Sequence, residues 1–194
     1  MISQMPPGLI MILAACFLPF IPHVSRQIFM LVAIAISSYG LFLGAGTHLV
    51  WNVLGFDLIL YQADSLSLPF AIIFHLAAAL NVIYSWHDRD WQQHCAALSY
   101  TGAAIAALHA GDLFTLFVWW EATALTSVFL ILGGKSLRAY RSAIRYIIIQ
   151  VGSGMFLLAG AVILLGTEGN ANFGPINVYS LPGTLILLAF CVAK

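Results

Sequence analysis

The chain has 194 residues with seven acidic and seven basic side chains, so its formal net charge is zero. Hydrophobic residues make up 62% of the sequence and charged residues 7%, and the mean hydropathy is +0.99. Because soluble domains average about 25% charged residues, this composition cannot cover a water-facing surface. It predicts an integral membrane protein in a lipid bilayer. The sequence also offers no basic stripe for nucleic acid, which is therefore not expected as a partner.

Apolar runs separated by turn and charge clusters predict an all-α protein with six transmembrane helices and the start of a seventh. The six predicted spans are 7–21, 27–45, 65–86, 93–110, 113–132 and 140–166, and the seventh starts near Pro182. Small residues at four-residue spacing in the fourth span, such as Ala103 and Ala107, predict that this helix lies inside the bundle. The polar stretch 167–183 is predicted to be an external loop.

The charges between the predicted spans are sorted by sign. The odd-numbered loops carry the basic residues Arg26, Arg89, Lys135 and Arg138. The even-numbered loops carry the acidic residues Asp57, Asp64, Asp112 and Glu168. Because basic loops stay in the cytoplasm, this pattern predicts an external N-terminus. Asp64 and Asp112 directly precede helices and are also expected to be N-caps.

Glu121 interrupts the fifth span. It follows Asp112 by nine residues, which at about 1.5 Å per residue places it roughly 13 Å deep in a hydrocarbon layer about 30 Å thick. An ionised carboxylate costs about 2.5 kcal/mol or more at that depth, so it must be paired, hydrated or protonated. Two interpretations stay open, a structural glutamate with hydrogen bonds inside the bundle and a group that takes up and releases protons.

Lys194 is the second charge placed at depth, since it lies twelve residues beyond Pro182 and hence about 18 Å into the seventh helix. It is also the last residue of the sequence. Because a helix that stops inside lipid leaves carbonyl groups without partners, we expect the chain to be a fragment or one piece of a split protein, truncated within helix 7. Lys194 is either a snorkelling terminal residue or a buried base that titrates.

Three further residues are candidates for a proton path. His75 lies near mid-depth in the third span and is either a packed, hydrogen-bonded side chain or a relay. His109 lies at the external end of the fourth span, near Asp112. Arg145 follows Arg141 by one helical turn, so both are either snorkelling anchors or, if Arg145 turns inward, a charge that stabilises ionised Glu121 through water.

Several stretches resemble a known family. Residues 111–121, Gly-Asp-Leu-Phe-Thr-Leu-Phe-Val-Trp-Trp-Glu, and the apolar run to Leu132 are similar to the fifth helix of the antiporter-like proteins. This family includes the large membrane subunits of respiratory complex I and the A-type and D-type subunits of Mrp-type cation/proton antiporters. The resemblance extends to residues 61–67, residues 139–146 and the lysine of helix 7. It is greater to the D-type Mrp subunits than to the complex I subunits.

The resemblance implies that Glu121 and Lys194 act as a coupled proton-translocating pair. It also implies a fold of two inverted helix repeats with half-channels that meet at the bilayer centre, of which only the beginning is expected here. Residues 1–60 would form an N-terminal two-helix segment and residues 61–194 the start of the proton-translocating domain. The expected partners are other membrane subunits, protons and Na+, and the expected location is a bacterial inner membrane.

Three alternatives to an antiporter subunit remain. The first is a proton-pumping subunit of a complex I-type NADH:quinone oxidoreductase. The second is a haem-bearing membrane subunit, which would need paired histidines at matched depth. The third is a structural anchor. No sequence motif for NTP hydrolysis, direct NADH binding or zinc proteolysis occurs, and Cys16, Cys95 and Cys191 lack a C-x-x-C spacing. We therefore expect a transporter subunit rather than an enzyme, with no metal or cofactor of its own.

Overall fold

The structure is a computed structural model that describes residues 6–43, 48–53 and 56–193. The described residues form seven α-helices and one β-hairpin. In chain order these are α1 (Pro7–Phe17), α2 (His23–Leu43), β1 (His48–Val53), β2 (Phe56–Gln62), α3 (Ser67–Tyr84), α4 (Trp91–Leu108), α5 (Leu113–Leu132), α6 (Leu137–Glu168) and α7 (Leu181–Ala193). Each predicted helix is present with its described ends shifted by at most four residues, so the all-α membrane fold is confirmed apart from the hairpin.

By length and hydropathy, the described residues contain fewer candidate membrane spans than the predicted six helices and the start of a seventh. Four helices, α2, α3, α5 and α6, are long and apolar enough to span a bilayer. α1 and α7 are apolar but shorter, with 11 and 13 residues in the described part of the chain. The predicted first span divides at Phe17, after which residues 18–20 form a 3-10 turn around Pro19. Proline lacks the N–H that would continue the α-helical hydrogen bonds, which explains this early end.

The hairpin between α2 and α3 is not predicted by the sequence analysis. Its strands are antiparallel, with Trp51 opposite Leu58 and an irregularity between Leu49 and Val50. Asp57, assigned above to a loop, lies on β2, where its carboxylate accepts a hydrogen bond from Asn52 at 2.8 Å.

The helices pack around two apolar clusters. The first joins α1, α2, α3 and α4, with fully buried side chains such as Met11, Met30 and Ile105. The second joins α5, α6 and α7 around Leu157 and Ala161. The predicted interior position of α4 is confirmed: it buries Ala103 and Ala106 and approaches α1 so closely that a Cβ on Gly8 would meet the Gly102 carbonyl oxygen. Small residues permit this backbone contact.

One end of the bundle gathers the basic residues, although two of them do not lie in loops. Arg26 belongs to the first turn of α2, where its side chain is buried and donates to the carbonyl oxygens of Arg89 and Ile21 at 3.2 and 3.1 Å. Arg138 similarly lies in the first turn of α6. Their assignment to loops is therefore wrong. The helices begin earlier than predicted. Carbonyl oxygens accept hydrogen bonds from the two terminal nitrogens of Arg26, and Ser136 caps α6.

Candidate functional site

Glu121 lies on α5, whose position is fixed at its N-terminus by Asp112. The Asp112 carboxylate accepts a hydrogen bond from the Thr115 N–H at 2.8 Å, which confirms the predicted N-cap. Glu121 follows about two and a half turns later and faces α6. A Cβ placed on Gly154 of α6 would collide with its carboxylate, so the glycine provides the space that the carboxyl group fills.

The Glu121 carboxyl group has a buried oxygen that lacks a partner in the described part of the chain. Its Oε1 atom is buried and has no hydrogen-bond partner within the described residues. The indole Nε1 atom of the neighbouring Trp120 is also buried and has no hydrogen-bond partner within the described residues. Since buried polar atoms are nearly always paired, two adjacent exceptions on one helix mark an unusual environment. They identify the middle of α5 as the candidate site.

Helix α7 closes the site from another side. The Trp120 ring packs edge-on against Phe190, with ring centroids 5.2 Å apart and an interplanar angle of 80°. The fully buried Ser153 hydroxyl, next to Gly154 in the sequence, donates to the Ala189 carbonyl oxygen at 2.7 Å. Three helices therefore meet around Glu121.

A second polar contact between α5 and α6 lies beyond Glu121. The Ser127 hydroxyl and the Tyr146 hydroxyl are 2.8 Å apart. Ser127 follows Glu121 by six residues, which corresponds to about 9 Å along the helix axis. The α5–α6 interface thus carries polar groups at two levels.

The other predicted site residues are not gathered at Glu121. His75 lies on α3, where it is buried and contacts Ser37 of α2 and the Ala71 carbonyl oxygen of α3. His109 is buried at the end of α4, where its ring stacks on Tyr61 with centroids 5.1 Å apart. Arg145 is exposed on α6, and its side chain makes no hydrogen bond or ion pair with the described residues. Lys194 lies outside the described residues.

Asp112 has a structural role that the sequence analysis did not foresee. Besides capping α5, its carboxylate accepts a hydrogen bond from the Ile59 N–H of β2 at 2.7 Å. Its backbone pairs with Asn172 in the connection between α6 and α7. Asp112 therefore joins the hairpin, α5 and the α6–α7 connection. Only its position before an apolar run was visible in the sequence.

Asp64 was predicted to be an N-cap, but the residue that directly precedes α3 is Leu66, and Asp64 contacts the first residue of the helix from two positions further out. Its Oδ1 atom accepts the Ser67 N–H at 2.5 Å, while the Ser67 hydroxyl contacts the Asp64 backbone. The hydrogen bond from the Ser67 N–H holds the pKa of Asp64 below its usual range. This carboxylate therefore stays ionised at neutral pH and accepts the N–H of the first residue of α3.

These features define a multi-pass membrane protein with a glutamate in the middle of a spanning helix, and comparisons with known proteins agree. Residues 110–193 match the family described as NADH:quinone oxidoreductase/Mrp antiporter, TM. The matched segment includes Glu121 and all of α5 and α6. The family match, the relatives described below and the fold support the resemblance to the antiporter-like family that the sequence indicated.

Among individual relatives, the chain is 32% identical over 124 residues to the putative antiporter subunit mnhD2 of Staphylococcus haemolyticus, a match that covers 61% of this chain and 25% of the relative. It is 26% identical over 145 residues to the D-type subunit of a probable K(+)/H(+) antiporter of Rhizobium meliloti, covering 73% of this chain and 27% of the relative. The chain thus spans about a quarter of the length of these relatives.

A solved structure shows the same fold. The match is to the membrane-bound sulfane sulfur reductase, an archaeal respiratory membrane complex, with a TM-score of 0.82 and 21% identity. It covers 98% of this chain and 34% of that chain. At this identity the likeness concerns the fold alone.

Proposed function

We propose that the chain is part of a D-type subunit of a multisubunit cation/proton antiporter, in which Glu121 and Lys194 translocate protons. The observation that carries this proposal is the buried, unpartnered Oε1 atom of Glu121 in the space opened by Gly154. An ionised carboxylate without a partner is costly in hydrocarbon, so its charge depends on a cation or water that can arrive and leave. Proton uptake and release follow from such a dependence.

The position of Lys194 in the sequence supports its role as that cation. It follows Phe190 by four residues, which is the spacing of neighbours on one helix face. Phe190 contacts Trp120, and Trp120 is adjacent to Glu121. A charged lysine near Glu121 would stabilise the carboxylate, and protonation of the carboxylate would weaken the hold on the lysine proton. The two protonation states would therefore be coupled in both directions.

The test of the pair is transport by the complete complex in everted membrane vesicles. Glu121→Gln is expected to abolish cation-driven proton movement, because an amide cannot release a proton as a carboxyl group does. Glu121→Asp is expected to retain part of the activity. Glu168→Gln is the matched control, because Glu168 is an exposed carboxylate at the end of α6. Normal transport by the Glu121→Gln complex would refute the proposal.

Lys194 has its own test. In the complete complex, Lys194→Ala is expected to abolish coupled transport, whereas Lys194→Arg, which keeps the charge, is expected to retain assembly. Arg141→Ala serves as a control, since Arg141 is an exposed basic residue near the start of α6. Unchanged activity of Lys194→Ala would leave Glu121 without this partner and return Lys194 to a snorkelling residue.

The proposed orientation has the N-terminus outside, in a bacterial inner membrane. It is supported by the gathering of Arg26, Arg89 and Lys135 at one end of the bundle, the end expected in the cytoplasm. Single cysteines at Leu137, at the start of α6, and at Tyr179, in the connection between α6 and α7, provide the test, because these residues are 78% and 98% exposed. Reagent added to intact cells should label position 179. Labelling of position 137 instead would reverse the orientation.

The partners and the wider site also belong to the proposal. We expect other membrane subunits, protons, Na+ and surrounding lipid, with residues 1–60 as an N-terminal segment and residues 61–194 in the proton-translocating part. His109 and Arg145 remain candidates for proton entry and exit. His75 is a weaker candidate for a haem ligand, because both of its ring nitrogens already contact oxygen atoms of the protein.

The second candidate function is a proton-translocating subunit of a complex I-type redox complex, which the structural likeness to an archaeal respiratory membrane complex favours. The two candidates differ in their source of energy. Vesicles that acidify or alkalinise on addition of Na+ alone support the antiporter. Vesicles in which proton movement requires electron transfer support the redox complex.

A further inference from the structure

A buried polar cluster joins the first three helices, away from Glu121. The Ser37 hydroxyl of α2 lies 2.7 Å from the Pro7 carbonyl oxygen of α1 and 2.8 Å from Nε2 of His75 in α3. The other ring nitrogen, Nδ1, lies 2.7 Å from the Ala71 carbonyl oxygen. Ser37 is fully buried and His75 is 4% exposed, so these three contacts are made within the protein.

The three contacts require three hydrogens. The carbonyl oxygens of Pro7 and Ala71 can only accept, so the hydroxyl hydrogen of Ser37 goes to Pro7 and a hydrogen on Nδ1 goes to Ala71. The remaining contact, between Nε2 and the Ser37 oxygen, then needs a hydrogen on Nε2. A neutral imidazole has one ring hydrogen, whereas an imidazolium has two. The arrangement is therefore complete only when His75 is protonated.

We propose that His75 and Ser37 form a proton-binding site that joins α1, α2 and α3, with the Pro7 and Ala71 carbonyl oxygens as its outer acceptors. The ligand is a proton, which is bound at Nε2 and shared with the Ser37 oxygen. Loss of this proton leaves one of the three close contacts without a hydrogen. The contact that opens is the one between α2 and either α1 or α3, so proton binding tightens the packing of the three helices. This site shares no residue with the site around Glu121.

No charged residue described on the helices around His75 replaces the proton on its ring. In its described residues, α1 has no charged side chain. The ionisable residues of α2 are His23, Arg26 and Tyr39, of which Arg26 precedes Ser37 by three turns and bonds carbonyl oxygens near Arg89. The ionisable residues of α4 are His94, Cys95 and Tyr100, and His109 directly follows its last residue. A proton on His109 would repel one on His75, so the two rings are expected to be protonated in turn.

A cavity lies between this site and the hairpin end of the bundle. It has a volume of about 310 Å³ and is lined by Leu41, Tyr61, Asp64, Ser67 and His109 among others. Tyr61 is 2% exposed and its hydroxyl has no hydrogen-bond partner in the described part of the chain, so a water molecule in the cavity could hydrogen-bond to it.

The cavity lies directly over the site along the helices. Ser67, Ala71 and His75 follow one another at four-residue spacing on α3, and all three are buried. Leu41 likewise follows Ser37 by four residues on α2. Ser67 is thus separated from His75 by two turns, or about 12 Å. Water in the cavity would bring protons to within this distance.

The experiment is a measurement of the ring nitrogens by NMR on the complete protein in lipid bilayers, labelled with 15N-histidine. The chain has six histidines, and His75→Gln identifies the signal of interest by its loss. The wild-type ring is expected to carry hydrogens on both nitrogens within the range of about pH 5 to pH 8 in which histidines titrate. Ser37→Ala removes the acceptor of the Nε2 hydrogen and should lower the proton affinity of the ring about tenfold or more, as for loss of a hydrogen bond to a charged group.

Ser37→Thr is the matched control, because it keeps the hydroxyl oxygen and should keep the wild-type protonation. A wild-type His75 signal that shows one bare nitrogen throughout that pH range would overturn the proposal, and this result needs no variant. Equal proton occupancy in the Ser37→Ala and wild-type proteins would also overturn it. Neither outcome depends on whether Glu121→Gln abolishes transport, so the two proposals fail separately.

Discussion

The N-terminal end and the middle of α5 each carry an acidic side chain, and the two side chains differ in their hydrogen bonding. Asp112 is 1% exposed, and its carboxylate accepts hydrogen bonds from the Thr115 N–H, the Thr115 hydroxyl and the Ile59 N–H at 2.8, 2.8 and 2.7 Å. Glu121 lies nine residues later and has a buried oxygen with no partner in the described residues.

This difference separates a structural carboxylate from one suited to chemistry. Two of the hydrogen bonds to Asp112 cap α5 and the third ties the hairpin to it, so this carboxylate stabilises the fold. Glu121 loses no described hydrogen bond when its Oε1 atom gains a proton. A carboxylate at the end of a spanning helix can thus stabilise the fold, whereas a carboxyl group in the middle of that helix can be available for proton transfer.

The largest effect is expected from Asp112→Ala. It leaves the buried N–H groups of Ile59 and Thr115 without acceptors, and at about 1–3 kcal/mol for each such group the free energy of unfolding should fall by about 2–6 kcal/mol. Unfolding by titration with a denaturing detergent measures this loss. Asp57→Ala is the control, because Asp57 is exposed and its described side-chain contact is to Asn52. Equal losses in both variants would contradict the structural role of Asp112.

A smaller effect is expected from Gly154→Ala. The new methyl group must displace the Glu121 carboxylate, so we expect about a tenfold loss of transport per assembled complex, equivalent to about 1.4 kcal/mol in the barrier. Gly152→Ala is a matched control on the same helix, because no atom lies within 4 Å of the position that its Cβ would occupy. Transport assays in vesicles with matched protein content give the comparison. If both variants transport equally well, the position of the carboxylate against α6 is not required.

The sequence was sufficient to predict α5 with the correct ends. Asp112 is a strong N-cap residue, the run that follows is apolar, and Gly133 and Gly134 end it, so local signals agree. The depth of Glu121 followed from counting residues. Counting residues could not predict that the Oε1 atom lacks a partner among the described residues, because this depends on which residues of α6 and α7 face the carboxyl group.

The hairpin and Arg26 show where local signals were insufficient. The strands lack a strict alternation of polar and apolar residues, and a hydrogen bond that holds β2 comes from Asp112, 53 residues away in the chain. Arg26 was assigned to a loop because its charge is costly in an apolar helix. Its cost is lowered by carbonyl oxygens of Ile21 and Arg89, the second of which is 63 residues distant. Such contacts are set by packing and carry no sequence pattern.

The smallest effect is expected at the other end of α5, where a third carboxylate is paired in a more exposed position. Lys135, which follows α5, donates to Asp90 at 2.8 Å, and their side chains are 73% and 22% exposed. This hydrogen bond lowers the pKa of Asp90 and raises the pKa of Lys135. The stabilisation from Asp90 is therefore complete above about pH 4, its unfolded pKa, and is lost as the pH falls through its lower folded value. The contribution of Lys135 is complete below about pH 10 and is lost as the pH rises through its higher folded value.

Asp90→Asn tests this pair with little other change, because Asn is as good an N-cap as Asp and keeps the acceptor for the Gln92 N–H at the start of α4. At neutral pH the variant should melt slightly below the wild type, since exposed ion pairs contribute little. The difference should shrink in high salt, which screens exposed charges, and should disappear below the folded pKa of Asp90, where the wild-type carboxyl group is also neutral. Thermal melting in detergent across pH and salt provides the measurement. A large difference that persists in high salt would mean that Asp90, like Asp112, holds the fold by hydrogen bonds rather than by charge.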